Sequence, residues 1–156
     1  MTGLRRKART VAVQALYELD CSSHKPEEVL ARLLQERTLP DEVADFAQSL
    51  VNGVLKNKQN IDDMIQKFAP AFPVEQIAVI DRNILRLAIF EVLFDNRVPV
   101  KAAINEAVEL AKSFGSDTSQ KFVNGVLGSI VSYRIQQEKQ QEVTKQTETR
   151  LNTQRK

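Results

Sequence analysis

Between its proline and glycine breaks this chain repeats apolar residues at spacings of three and four, the period of a helix, and it shows no strand-like alternation. That pattern confines the fold to the all-α class. Leu4 to Asp20 places Ala8, Val11, Ala12, Ala15, Leu16 and Leu19 on one stripe, and Pro26 opens a second helix with Leu30, Leu33 and Leu34 inward. Asp41 to Asn57 follows Pro40 with the same spacing from Val43 to Leu55, and Ile61 to Phe68 forms a short fourth helix before Pro70 and Pro73 interrupt. Ala78 to Asp95 is apolar around most of its circumference, as a helix enclosed by others must be. Pro99 starts a sixth helix, with Val100 to Phe114 supplying its inward residues and Gly115 its left-handed cap. A seventh, capped by Ser116 or Asp117, buries Phe122, Val123, Val126, Leu127, Ile130 and Val131.

At 156 residues these seven helices suit one domain. The expected division is a helical body over residues 1–134 and a polar, disordered tail over 135–156 whose first turns extend the last helix, because Ile135, Val143 and Leu151 are its only large apolar residues. The pentapeptide VNGVL occurs at Val51 to Leu55 and again at Val123 to Leu127, a hint of two similar half-bundles. Glycine inside a helix is costly, so Gly53, Gly125 and Gly128 are expected where helices approach closely.

Several function classes drop out. The five glycines form neither a dinucleotide-binding nor a phosphate-loop pattern. The single cysteine, Cys21, and the single histidine, His24, stand in a turn-like segment and leave a catalytic Cys/His pair or a thiolate metal site without material. The carboxylate pairs Asp62/Asp63 and Glu106/Glu109 read as solvated helix faces, so no enzyme, metal or cofactor is expected. No apolar run approaches membrane-spanning length, and the start MTGLRRKART lacks the apolar core of a secretory signal, which points to the cytoplasm.

Charge is more informative in its distribution than in its total of +2. Arg5, Arg6, Lys7 and Arg9 crowd into the first ten residues, and at about 100° per residue Arg5, Arg6 and Arg9 share an arc that suits the phosphates of one strand. A second candidate is the loop from Lys112 to Phe122. There the start of the seventh helix offers free backbone N–H groups, Ser116, Thr118 and Ser119 offer hydroxyls, and Lys112 and Lys121 offer charge. Phe122 is placed either to stack on a base or, at helical spacing with Val126, to join the core. No helix carries the exposed Arg, Asn and Gln register that reads duplex DNA, so single-stranded RNA is the better fit.

Three stretches resemble the NusB family of bacterial transcription antitermination factors: Arg5 to Arg9 leading into AVQALY at Ala12 to Tyr17, DRNILRLAIFE at Asp81 to Glu91, and VPVKAAINEAVELAKSFGSDTSQKFVNGVL at Val98 to Leu127. The resemblance covers residues 4 to 134 and implies two packed three-helix bundles without catalytic activity or metal. It implies RNA contacts at Arg5, Arg6, Lys7 and Arg9 and at Lys112, Asp117, Ser119, Lys121 and Phe122. It also implies that the chain joins the small-subunit ribosomal protein NusE on the boxA element of nascent ribosomal RNA, as single-stranded RNA, so that the RNA polymerase elongation complex passes terminators. Asp81, Arg82, Arg86 and Glu91 of the central helix match the NusE face. Asp81 stands where the family often has the longer Glu, and the Gln-rich ending is longer than the family's. The family includes monomers and dimers, and a homodimer would cover the basic face.

Two other readings compete. An RNA methyltransferase whose first domain resembles this family would need a further α/β domain with a Gly-rich loop, whereas the residues after Arg134 are polar. A helical adaptor that binds protein alone would keep the basic start as a solubility feature.

Overall fold

Helix α1 (Thr2–Cys21) lies against α2 (Pro26–Arg37), α3 (Asp41–Lys56) and α5 (Val79–Ile89), and this is where most of its apolar stripe goes. Ala8, Val11, Ala12, Val13, Ala15 and Leu16 are all buried, so the helical period read from the sequence sets the face that packs. The computed structural model describes residues 2–154. Among them seven α-helices form two groups, α1 to α3 and α5 to α7, with α4 (Lys58–Phe68) closing on α5 and α7. Helices α6 (Val100–Phe114) and α7 (Ser119–Gln154) pack on each other and on α5. The architecture is all-helical, as the periodicity requires.

Helix α5 is the centre, with Ile84, Leu85, Leu87, Ala88 and Ile89 buried together. Its continuation departs from the single helix expected to Asp95. Phe90–Phe94 widens into a π-turn, which leaves ladder carbonyls without their usual partners. The Arg134 guanidinium on α7 donates to one of them, the Val92 carbonyl. Gly53 explains the same region from the other side: a Cβ there would collide with the Phe90 ring, so the first VNGVL glycine marks a close approach. Gly125 and Gly128 do not. Both face solvent with no neighbouring side chain within 4 Å.

Two further expectations are corrected at the ends of α6 and α7. Gly115 is extended, with φ −92° and ψ −172°, not left-handed. It is required because a Cβ would strike the Ser119 side chain. Helix α7 also runs on to Gln154, where composition points to a disordered tail. Residues 138–154 are exposed on every side. Their helix rests on the intrinsic propensity of Gln, Glu, Lys and Arg, and on the Arg134–Glu138 pair one turn apart at its start.

Candidate RNA and partner interface

The arginine-rich start of α1 is divided among three neighbours. Arg5 is exposed and lies over the Phe46 ring of α3, 5.3 Å from its centre. Arg6 donates Nε and Nη2 to the two carboxylate oxygens of Glu106 in α6, each at 3.0 Å, while about half of its side chain stays in solvent. The hydrogen bonds and charge of Glu106 raise the Arg6 pKa above its ordinary value. Lys7 is exposed and makes no ion pair among the described residues. Arg9 is different. It is 3% exposed and bound through two hydrogen bonds to Glu91, also 3% exposed, so it has no free surface to offer a phosphate. The expected arc of three arginines gripping one strand is therefore not what the helix presents.

The loop residues separate in the same way. Lys112, Asp117 and Lys121 are exposed. Ser119 is 1% exposed, and its Oγ accepts the Ser116 backbone N–H at 2.9 Å, which closes the turn entering α7 and removes the hydroxyl from solvent. Neither Ser116 nor Asp117 donates or accepts a side-chain cap to the helix; Ser119 organises its start instead. Phe122 is half-buried and packed against the core, the apolar alternative of the two its spacing allowed.

The residues assigned to the partner face are mostly internal. Asp20 of α1 accepts hydrogen bonds from Arg82 at 2.7 Å, Asn83 at 3.0 Å and Arg86 at 2.9 Å. Arg86 also grips both oxygens of Asp62 in α4 at 2.8 and 3.0 Å. Burial pushes the Asp20 carboxyl up, but the bonds from Arg82 and Asn83 and the charge of Arg86 outweigh it and hold the pKa at about 2. Arg82, Arg86 and Glu91 therefore join α1, α4 and α5 to each other, and their charges are already met. Asp81 is the exception. Its Oδ1 is closed to solvent and has no donor among the described residues.

What the molecule does present is an apolar groove of about 560 Å³ between α1, α2, α5 and the end of α6. Val13, Leu33 and Ile80 line it, and Tyr17 and Phe114, 44% and 41% exposed, stand at its edges. Phe114 is thus not an inward residue of α6. Aromatic side chains with large exposed faces on a rigid helical frame are the kind of anchor that protein partners bury. The sequence carried Tyr17 within its AVQALY stretch, but periodicity alone could not reveal a groove formed by four separated segments.

These features define an all-helical protein with exposed cations on two adjoining elements and an apolar groove edged by exposed aromatic side chains. A family model described as the NusB family matches residues 6–132. The transcription antitermination protein NusB of Dehalococcoides mccartyi (strain ATCC BAA-2266 / KCTC 15142 / 195) is 53% identical over 142 residues, covering 91% of this chain and 99% of its own. A solved T. maritima NusB superposes with a TM-score of 0.77 at 34% identity, over 82% of this chain and 90% of that one. A crystal structure of antitermination factors NusB and NusE in complex with dsRNA gives 0.78 at 27% identity, over 85% and 99%. The chain belongs to the NusB family, a non-enzymatic family of transcription antitermination proteins. No described helix is long and apolar enough to cross a membrane.

Proposed function

We propose that this antitermination protein acts in the bacterial cytoplasm together with NusE, holding the boxA element of nascent ribosomal RNA so that the RNA polymerase elongation complex continues through terminators. The observation that carries this reading is the Arg6–Glu106 pair, which ties the basic start of α1 to α6, the helix that leads into the second basic loop. Lys112 lies six residues beyond Glu106 on that helix, and Lys121 follows across the Ser116–Ser119 turn. Arg5, Arg6, Lys7, Lys112 and Lys121 thus lie on elements joined at that pair, a track for phosphates with Asp117 as an acceptor for base amino groups. Boxed-in Arg9 and Ser119 support this track without touching RNA.

NusE takes the Tyr17–Phe114 groove, burying its two exposed aromatic edges against the partner. Replacing either exposed aromatic by alanine should weaken NusE binding tenfold or more by calorimetry, since buried aromatic anchors contribute about 2 kcal/mol or more. Phe72→Ala, at a residue 60% exposed and outside the groove, should leave NusE affinity unchanged. Equal NusE affinity in all three variants would place the partner elsewhere. Both single-stranded and duplex forms of the boxA sequence belong in the companion RNA titration, and binding of the duplex alone would overturn the single-strand assignment.

A further inference from the structure

A second recess, about 630 Å³, opens between the start of α1, the start of α3 and the loop after the π-turn; it shares Arg5 with the phosphate track and no residue with the NusE groove. One wall is cationic. Arg97 is fixed there by Asp95, which it meets through Nε and Nη2, by a hydrogen bond of 2.9 Å to Ser49 Oγ, and by the Phe46 ring 4.9 Å from its guanidinium carbon. Arg5 stands over the same ring and makes no hydrogen bond among the described residues. The two guanidinium carbons are accordingly within about 10 Å of each other. Asp41, Glu42 and Asp45 of α3 also line the recess, exposed and without an ion pair among the described residues.

Guanidinium groups and unpaired carboxylates that line one recess without bonding to each other leave room for a ligand that meets both. A phosphate satisfies only the arginine wall and is repelled by three carboxylates. A nucleobase is uncharged and flat, and it stacks on guanidinium planes. Among the four bases of RNA, guanine alone pairs two adjacent acceptors, O6 and N7, on one edge with two adjacent donors, N1–H and N2–H, on another. The acceptor pair is the arginine partner in direct base recognition, and the donor pair matches a carboxylate.

We propose that this recess binds an unpaired guanine of the RNA, with Arg5 reading O6 and N7, Arg97 as a pre-set stacking wall, and Asp41, Glu42 or Asp45 accepting from the N1 and N2 protons. The proposal rests on the reading that the start of α1 contacts RNA, and it adds a base preference to that phosphate track. Arg97 lies in the loop ahead of α6, outside both basic clusters evident in the sequence.

The test compares short oligouridines with the same strands carrying one guanine, inosine or 7-deazaguanine, titrated against the full chain and against Arg97→Ala and Asp45→Asn. Guanine should tighten binding about fivefold or more. Inosine, which lacks the N2 amino group, and 7-deazaguanine, which lacks N7, should each forfeit most of that increment. Arg97→Ala should abolish the guanine increment while plain oligouridine still binds, and Asp45→Asn, a conservative change at an exposed position, should reduce it. Oligouridine binding with no guanine increment, or an increment that survives in Arg97→Ala, would overturn the guanine site alone. Loss of all RNA binding by the unaltered chain would instead overturn the RNA reading beneath it. Displacement of bound guanine strands by an arginine-rich peptide, with no response to the base analogues, would assign the recess to a protein and overturn the proposal.

Discussion

Arg9 and Glu91 meet in a doubly hydrogen-bonded ion pair, Nε to Oε1 at 2.8 Å and Nη2 to Oε2 at 2.9 Å, which joins α1 to the π-turn inside the protein. Removing one member leaves a buried charge uncompensated. Arg9→Ala should lower stability by about 3–5 kcal/mol in urea unfolding, and the joint change Arg9→Met with Glu91→Leu should recover most of it. The double variant, once folded, should bind RNA with unchanged salt dependence. A shallower salt slope in that variant would return Arg9 to the phosphate track.

The two VNGVL glycines should respond in opposite directions to alanine. Gly53→Ala forces a methyl group into the Phe90 ring and should destabilise the protein by about 1–3 kcal/mol. Gly125→Ala meets open space on the surface of α7 and should stabilise it by up to about 1 kcal/mol through helix propensity alone. Thermal unfolding of both variants checks the contrast, and a destabilised Gly125→Ala would show that open space is not what a side chain finds there.

The helices were legible because burial follows the apolar stripe: Ala8, Val11, Ala12 and Leu16 read inward and are inward. The charged positions were harder for a physical reason. One helical face gives the direction of Arg9 and Arg86, but whether such a side chain reaches water or a carboxylate depends on Glu91, Asp20 and Asp62, which lie far away in the sequence. Asp62 and Glu106, which the sequence suggested were solvated, are ion-pair acceptors for that reason. The Tyr17–Phe114 groove and the recess beside Arg97 arise only when separate segments are brought together, and the π-turn at Phe90–Phe94 has no signature in apolar spacing. Family likeness pointed to α1 and the α6–α7 loop as candidates, but not to which of their side chains remain free.

Acid should loosen the joint between α1, α4 and α5. Asp20 has a folded pKa of about 2, below its ordinary value of 3.8, so its stabilising contribution is fully present above the ordinary value and is lost as pH falls from there through about 2. After screening by solvent the contribution is on the order of 1 kcal/mol. Urea midpoints measured across that range should fall more steeply in the natural chain than in Asp20→Asn. Parallel curves would show that Asp20 is not the titrating group.

On the proposed phosphate track, Glu106 competes with RNA for Arg6. Glu106→Gln removes the charge that holds the guanidinium while preserving the shape of the side chain. RNA should then bind more tightly, with a salt slope steeper by about 0.7 because Arg6 is free to neutralise one more phosphate of a single strand. Fluorescence titration at several salt concentrations reads both quantities. Weaker RNA binding in Glu106→Gln would mean that the pair positions Arg6 for RNA rather than withholding it.

The most direct test is a titration of labelled boxA RNA with and without NusE at two salt concentrations, comparing the natural chain with a variant in which Lys7, Lys112 and Lys121 are all alanine. NusE should raise the affinity of both proteins, and the variant's salt slope should be lower by about 2, as three single-strand phosphate contacts require. An unchanged slope in the variant would contradict the phosphate track that joins α1 to the α6–α7 loop.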